Sequence, residues 1–170
     1  KNAWLKRLEP YFLRAYPVAH HAGALAAVPA GVSSGVPTLA AIGFETTDLH
    51  TLKLPSGSAG AQELLADFLE RIDRYDETRN FPAVKGPSYL STHLRFGTVS
   101  IRQLAREAWR RMQAGPTAAR SGAAVWLSEL IWRDFYHQVM HHHPHVVGHA
   151  FKREYEAIRW AVSYTHLRAH

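Results

Sequence analysis

The chain contains no cysteine. That excludes disulfides, thiolate metal centres and a cysteine nucleophile, and it fits a reducing compartment. No apolar run approaches the ~18 residues of a membrane-spanning helix. The Val/Ile-rich alternation of a sheet is almost missing, so a mainly α arrangement is expected. The first residues carry no signal-peptide pattern: Lys1 is not a start methionine, and Trp4–Tyr16 carries charges throughout. The chain is therefore expected to begin inside something larger. No internal repeat is present.

What is present is an ordinary globular balance. The length, 170 residues, suits one domain, and 46% apolar content argues against wholesale disorder. Twenty Lys+Arg against fourteen Asp+Glu give a net charge of +6, with twelve His in reserve. That excess suits an anionic partner such as nucleic acid, and equally a merely basic soluble protein.

Asn2–Ala15 reads as a short amphipathic helix interrupted at Pro10, with Trp4, Leu5, Leu8 and Phe12 on its apolar side. Residues 16–60 are punctuated by Pro17, Pro29, Pro37, Pro55 and six glycines, which permit little regular structure. So long a loop reads as a connector across or between domains. Helical spacing returns over Ser58–Thr78 through Ala61, Leu64, Leu65, Phe68, Leu69 and Ile72, and Tyr75 continues that face. Pro82 predicts a stop near Arg79–Asn80. Asn80–Ser91 is a loop whose Ser88 and Ser91 suit either an anion cradle or, more often, the cap of the next helix. Thr98-Val-Ser100 reads as a second cap. Ile101–Gln113 is a basic amphipathic helix with Leu104, Ala105, Ala108 and Trp109 inward, ended by Gly115-Pro116. A long helix from about Ala118 to His142 is closed by Pro144, and Phe151–Trp160 reads as a last short helix.

Within the long helix, AVWLSELIWRDFYH (124–137) places Trp126, Glu129, Arg133 and Tyr136 on one face. Leu127, Ile131 and Phe135 repeat on another face, suited to packing inward. Rings, a carboxylate and a guanidinium along one stripe suit a flat, partly charged ligand. Spacing alone favours a helix-surface ion pair between Glu129 and Arg133, with the aromatics as core. His137, His141, His142, His143, His145 and His149 form a dense run. His137 and His141 are i, i+4, but no third ligand of matching spacing accompanies them, so a solvated or nucleic-acid-facing basic end is expected rather than a metal site.

Three ordered segments, RYDETRNFPAVKG, SYLSTHLRFGTVS and VWLSELIWRDFYHQVM, together with the opening KNAWLKRL, resemble the DNA photolyase/cryptochrome family. The likeness is strongest to microbial members that act on cyclobutane pyrimidine dimers and covers about residues 1–160. It implies a mainly α fold: an irregular interdomain connector (1–59), then the first helices of the all-helical FAD-binding domain (60–161). By the resemblance, the N-terminal antenna domain and the second half of the flavin domain lie outside the chain. VSYTHLRAH (162–170) resembles a translated sequencing-adapter string and is expected to be a non-native tail.

Site residues carry over one by one as implications of that resemblance. Tyr75 matches a tyrosine at FAD, and Arg79 an arginine at DNA phosphate. Pro87, Ser88, Tyr89, Leu90 and Ser91 fall on the loop that holds the FAD diphosphate and ribitol. Pro87 stands where threonine is usual and removes a hydroxyl and an N–H donor. Tyr89 stands where arginine is usual. Trp126 and Arg133 match flavin-contacting positions. Glu129, Trp132, Arg133 and Tyr136 match the lesion-facing stretch, with Trp132 stacking on the flipped dimer and Glu129 hydrogen-bonding to it.

The resemblance implies FAD as cofactor. It also implies an antenna chromophore (methenyltetrahydrofolate or a deazaflavin) bound outside this chain. Damaged DNA would be the partner of a monomeric, cytoplasmic deoxyribodipyrimidine photo-lyase. The chemistry is cofactor-borne: excited reduced FAD donates an electron to the dimer, which splits and returns it. A cryptochrome-type photoreceptor is the alternative. The chain by itself is expected to bind FAD weakly or not at all and to show no photorepair.

Overall fold

The computed structural model describes residues 2–14, 17–32, 35–114 and 117–158. They form two compact units, Lys1–Ser128 and Glu129–His170. No strand occurs among the described residues.

The first unit opens with α1 (Asn2–Leu5) and a π-helical turn, Leu8–Phe12. Pro10 lacks an N–H, and its ring opposes the carbonyl four residues back. The α-helix accordingly stops ahead of it. The bonds that follow reach one residue further, from Phe12 N–H to Arg7 O (3.2 Å) and Leu13 N–H to Leu8 O (2.9 Å). The interruption predicted at Pro10 is thus a break at Lys6–Arg7 with the proline inside a wide turn. Leu8 is buried, and Trp4 stacks on Phe12 with centroids 4.1 Å apart.

Among the described residues from Pro17 to Leu54, the regular structure is confined to short 3-10 turns at Ala19–Ala24, Ala40–Ile42 and Leu49–Leu52. The side chains described there are all exposed, as the proline and glycine punctuation predicts.

The packed part begins at α2 (Gly57–Leu69). It buries Ala61, Leu65 and Phe68, an i, i+4, i+7 stripe. A 3-10 turn, Ile72–Arg74, bends the chain into α3 (Tyr75–Thr78), so the helix expected to run to Thr78 is divided in two. The loop to Leu90 leads into α4 (Ser91–Phe96), which ends on Gly97 in the left-handed conformation (φ 68°). Helix α5 (Ile101–Ala114) buries Leu104, Ala105 and Ala108, while Trp109 is half-buried. Helix α6 runs from Thr117 to His142. The expected Gly115-Pro116 breaker lies outside the described residues.

Long-range polar contacts lock these pieces together. Arg111 on α5 makes a two-bond fork to Asp73, with Nε–Oδ1 2.7 Å and Nη2–Oδ2 2.5 Å. The Asp73 carboxylate raises the Arg111 pKa above its ordinary value. Ser121 Oγ on α6 donates to Asp76 Oδ2 on α3 at 2.5 Å. Gln62 and Gln103 exchange bonds between α2 and α5. Arg102 donates to the Tyr11 carbonyl and lies 4.4 Å from the Tyr11 ring centroid, tying the N-terminal turn to α5. A Cβ at Gly122 would run into the backbone carbonyl oxygens of Ile72 and Asp73, so glycine is what lets α6 press onto the 72–74 turn.

In the second unit, Leu130 and Ile131 are buried. Phe135 is 49% exposed, against the inward position predicted from its four-residue spacing after Ile131. Its ring instead joins an exposed cluster with Trp132 and Tyr136. Past the helix, the chain makes 3-10 turns at Pro144–Val147 and Arg153–Ala157. Of the last helix expected over Phe151–Trp160, the described residues form the second of these turns, and residues 159–170 lie outside the described residues.

Candidate functional site

In the first unit the candidate residues gather around Phe68. This ring is fully buried at the end of α2. Tyr75, at the start of α3, meets it edge-on with centroids 5.7 Å apart. Trp126 of α6 lies against it at 4.7 Å. Structure therefore brings Tyr75 and Trp126 to one hub, Tyr75 half-buried at its margin and Trp126 only 3% exposed within it. The Arg79 guanidinium lies 5.6 Å from the Tyr75 ring centroid, one turn further along.

The loop carrying Pro87–Ser91 is held from below. Gly86 sits so close to Thr78 that a Cβ would lie 2.8 Å from the Thr78 carbonyl carbon and oxygen. The Pro87 carbonyl accepts a bond from Arg71 Nη2 at 2.9 Å. Leu90 is buried and anchors the far end. Between these fixed points Tyr89 takes φ +55°, a left-handed conformation that costs a non-glycine residue about 1–2 kcal/mol. Its ring is 50% exposed.

Neither serine caps α4 as predicted. Leu90 occupies the cap position with no side-chain bond, and Ser91 is already the first helical residue. Ser88 Oγ accepts from Leu90 N–H at 3.5 Å, at the limit of a useful bond. The Ser91 side chain is exposed. Both hydroxyls therefore stay available to an oxygen-rich ligand, which is the chemistry a diphosphate and a polyhydroxyl chain require.

Thr98 serves the other end of α4: its backbone N–H returns to His93 O (3.0 Å), and its hydroxyl meets His93 Nδ1 at 2.7 Å. His93 is buried, and this pairing gives its ring a polar partner. Ser100 starts α5 through its carbonyl, which accepts from Leu104 N–H.

In the second unit, Glu129, Trp132, Arg133 and Tyr136 share about two turns of α6. Glu129 and Arg133 are half-buried, whereas Trp132 and Tyr136 are 50% and 61% exposed. The Trp132 and Tyr136 ring centroids lie 6.1 Å apart with their planes tilted by 31°, and Phe135 is edge-on to both. Exposed rings on one stretch of helix offer stacking surface for a planar group. The histidine run continues past them. Its rings contact one another and Phe151, and His149 Nδ1 lies 3.3 Å from Glu156.

Sequence reasoning missed the parts that hold these residues in place. Phe68 was expected as core but not as the hub, and Arg71 and Gly122 drew no attention. Only the arginine carried a signal, since it follows Asp67 by one turn.

A match to the FAD binding domain of DNA photolyase covers residues 126–170. It starts at Trp126 and runs through Val162–His170, the stretch set apart above by its adapter-like sequence. Among curated proteins, the chain is 32% identical to the deoxyribodipyrimidine photo-lyase of Escherichia coli, over 99% of this chain and 34% of that protein. It is 34% identical to that of Synechococcus, over 80% of this chain and 28% of the relative. The Neurospora crassa photo-lyase is 38% identical over 74% of this chain and 21% of its own length. The chain belongs to the DNA photolyase family. It spans about a third, or less, of the length of these relatives.

Proposed function

We propose that this chain supplies part of the FAD- and DNA-binding machinery of a deoxyribodipyrimidine photo-lyase. In this reading FAD is the cofactor, and DNA carrying cyclobutane pyrimidine dimers is the substrate. The observation that carries the proposal is the likeness to the Escherichia coli photo-lyase along 99% of the chain. Beside it stands an exposed aromatic ladder on α6 of the kind that stacks on a planar base.

Bound FAD would supply light absorption and the electron that opens the dimer. The chain's own residues bind and orient. Ser88 and Ser91 would donate hydroxyls to the diphosphate and ribitol, on a loop fixed by Gly86 and Leu90. Tyr75 and Trp126 would form an aromatic wall around Phe68, and Arg133 would add positive charge to the flavin side. Arg79 would meet DNA phosphate as a charge-assisted donor. Trp132 and Tyr136 would receive the flipped lesion, whose poor stacking makes extrusion cheaper than for an intact base. Glu129 would hydrogen-bond the dimer and hold charge near it. An antenna chromophore would bind outside this chain. The protein would act as a cytoplasmic monomer. No helix among the described residues is long and apolar enough to cross a membrane.

Competition between dimer-containing and undamaged oligonucleotides tests the reading. The wild-type protein prefers the lesion. Trp132→Ala loses about tenfold of that preference, as expected for one stacking platform. Equal affinity for damaged and undamaged DNA in the wild type contradicts the proposal.

A further inference from the structure

The loop Pro87–Ser91 has no regular hydrogen-bonded ladder of its own, yet it runs through a left-handed tyrosine. Something outside the loop must hold it. The strongest external grip comes from α2 and the turn behind it. Arg71 reaches three acceptors: Nη1 donates to Asp67 Oδ2 and to the Asp67 carbonyl, both at 2.6 Å, and Nη2 donates to the Pro87 carbonyl at 2.9 Å. The second carboxylate oxygen of Asp67 accepts from Lys85 Nζ at 2.8 Å. The guanidinium also lies 5.4 Å from the Phe68 ring centroid, with its Nε buried. Asp67 is thus clamped by two cations that come from opposite ends of an 85–71 span. One of those cations holds the first residue of the loop.

We infer that Arg71, fixed by Asp67 and assisted by Lys85, is a positioning residue that sets the conformation of the Pro87–Ser91 loop before any ligand arrives. The inference rests on the flavin reading only for what the loop then binds; the staple itself is a property of the free chain. A ligand meeting a loop already in place does not spend binding energy on ordering it. Lysine at position 71 keeps the charge but not the fork, so it cannot hold Asp67 and the Pro87 carbonyl together.

Backbone hydrogen exchange of the whole chain tests this, read separately for residues 86–91 and for the buried α5 segment around Leu104–Ala108. In Arg71→Met, exchange at 86–91 rises about fivefold or more while α5 is unchanged, the size expected for losing a partly exposed charge-assisted bond. Arg71→Lys recovers only part of the protection. Lys85→Met and Asp67→Asn, which leave the Phe68 contact in place, loosen the same loop by a smaller factor. Unchanged loop exchange in both Arg71→Met and Asp67→Asn overturns the proposal. So does a uniform rise across loop and α5, because that marks general destabilisation rather than positioning. A second arm adds excess FAD to the longer protein that contains this chain. Protection of 86–91 in the wild type that is weakened in Arg71→Met supports the link to the ligand. FAD that leaves the wild-type loop unprotected counts against the flavin reading, while the ligand-free rates still decide the role of Arg71.

Discussion

Replacing Gly122 by alanine sets helix propensity directly against packing. On an isolated helix the change gains about 1 kcal/mol. Here the new methyl would enter the space of the Ile72 carbonyl oxygen and come within 2.6 Å of the Asp73 carbonyl oxygen. Both are backbone atoms of a tight turn, so neither can swing aside as a side-chain tip would. Overpacking of this kind costs about 1–3 kcal/mol, with the upper end fitting a clash against backbone. Backing α6 away would also strain the Ser121–Asp76 bond, worth about 1.5 kcal/mol or more for a charged acceptor before discounting for exposure. The net expectation is a loss of about 2 kcal/mol, seen as a fall in Tm of roughly 4–8 °C. Trp126 lies one turn beyond Gly122 on α6, so its fluorescence and its contact with Phe68 report the same displacement. Gly23→Ala, where a methyl meets nothing within 4 Å, is the control and leaves Tm within error. A Gly122→Ala chain as stable as the wild type, or more so, would refute the close approach of α6 to the 72–74 turn.

Three further outcomes follow from the same contacts. Phe68→Ala removes the ring shared by Tyr75 and Trp126 and is expected to cost about 3–5 kcal/mol by chemical denaturation, whereas Phe68→Leu costs clearly less. Tyr89→Gly relieves the left-handed strain and is expected to leave stability unchanged or raise it by up to about 1 kcal/mol, offset by glycine's greater freedom when unfolded, while Tyr89→Val lowers it. The Lys85 and Arg71 cations hold the Asp67 carboxyl below its ordinary value of 3.8. A lowered folded-state pKa contributes stability that is present above that ordinary value and lost as pH falls through the folded one. Urea midpoints should therefore drop on acidification below about pH 4, and Asp67→Asn should lower the neutral-pH midpoint and flatten that part of the profile.

Much of the helical skeleton was legible because its signals are local. Pro82 and Pro144 end helices where expected, and the Leu65/Phe68 and Leu104/Ala108 stripes face inward as their spacing requires. Among the described residues, the proline-rich stretch after Pro17 forms short turns for the same reason. Local signals failed where long-range contact decides. Phe135 has core-like spacing, but its ring lies with two exposed aromatics. The split of the 58–78 helix at Ile72–Arg74 follows from Arg111 and Gly122 meeting that turn, residues far away in sequence. Ser91 looks like a cap by composition, yet the loop enters α4 one residue earlier, anchored by buried Leu90. The candidate site was legible through resemblance, not through spacing. Spacing alone left Trp126 as core, and the structure does bury it; its place beside Tyr75 depends on Phe68, which the helical stripe marked as core but not as the ring the other two share.

Light-driven repair tests the central proposal most directly. The protein containing this chain, reconstituted with reduced FAD, is mixed with an oligonucleotide bearing one cyclobutane thymine dimer, and intact thymine is counted after blue light and after darkness. The account predicts dimer loss in light only, with a lower yield in Glu129→Gln. A protein that binds flavin and DNA yet leaves the dimer intact under illumination would contradict it and point to a photoreceptor instead.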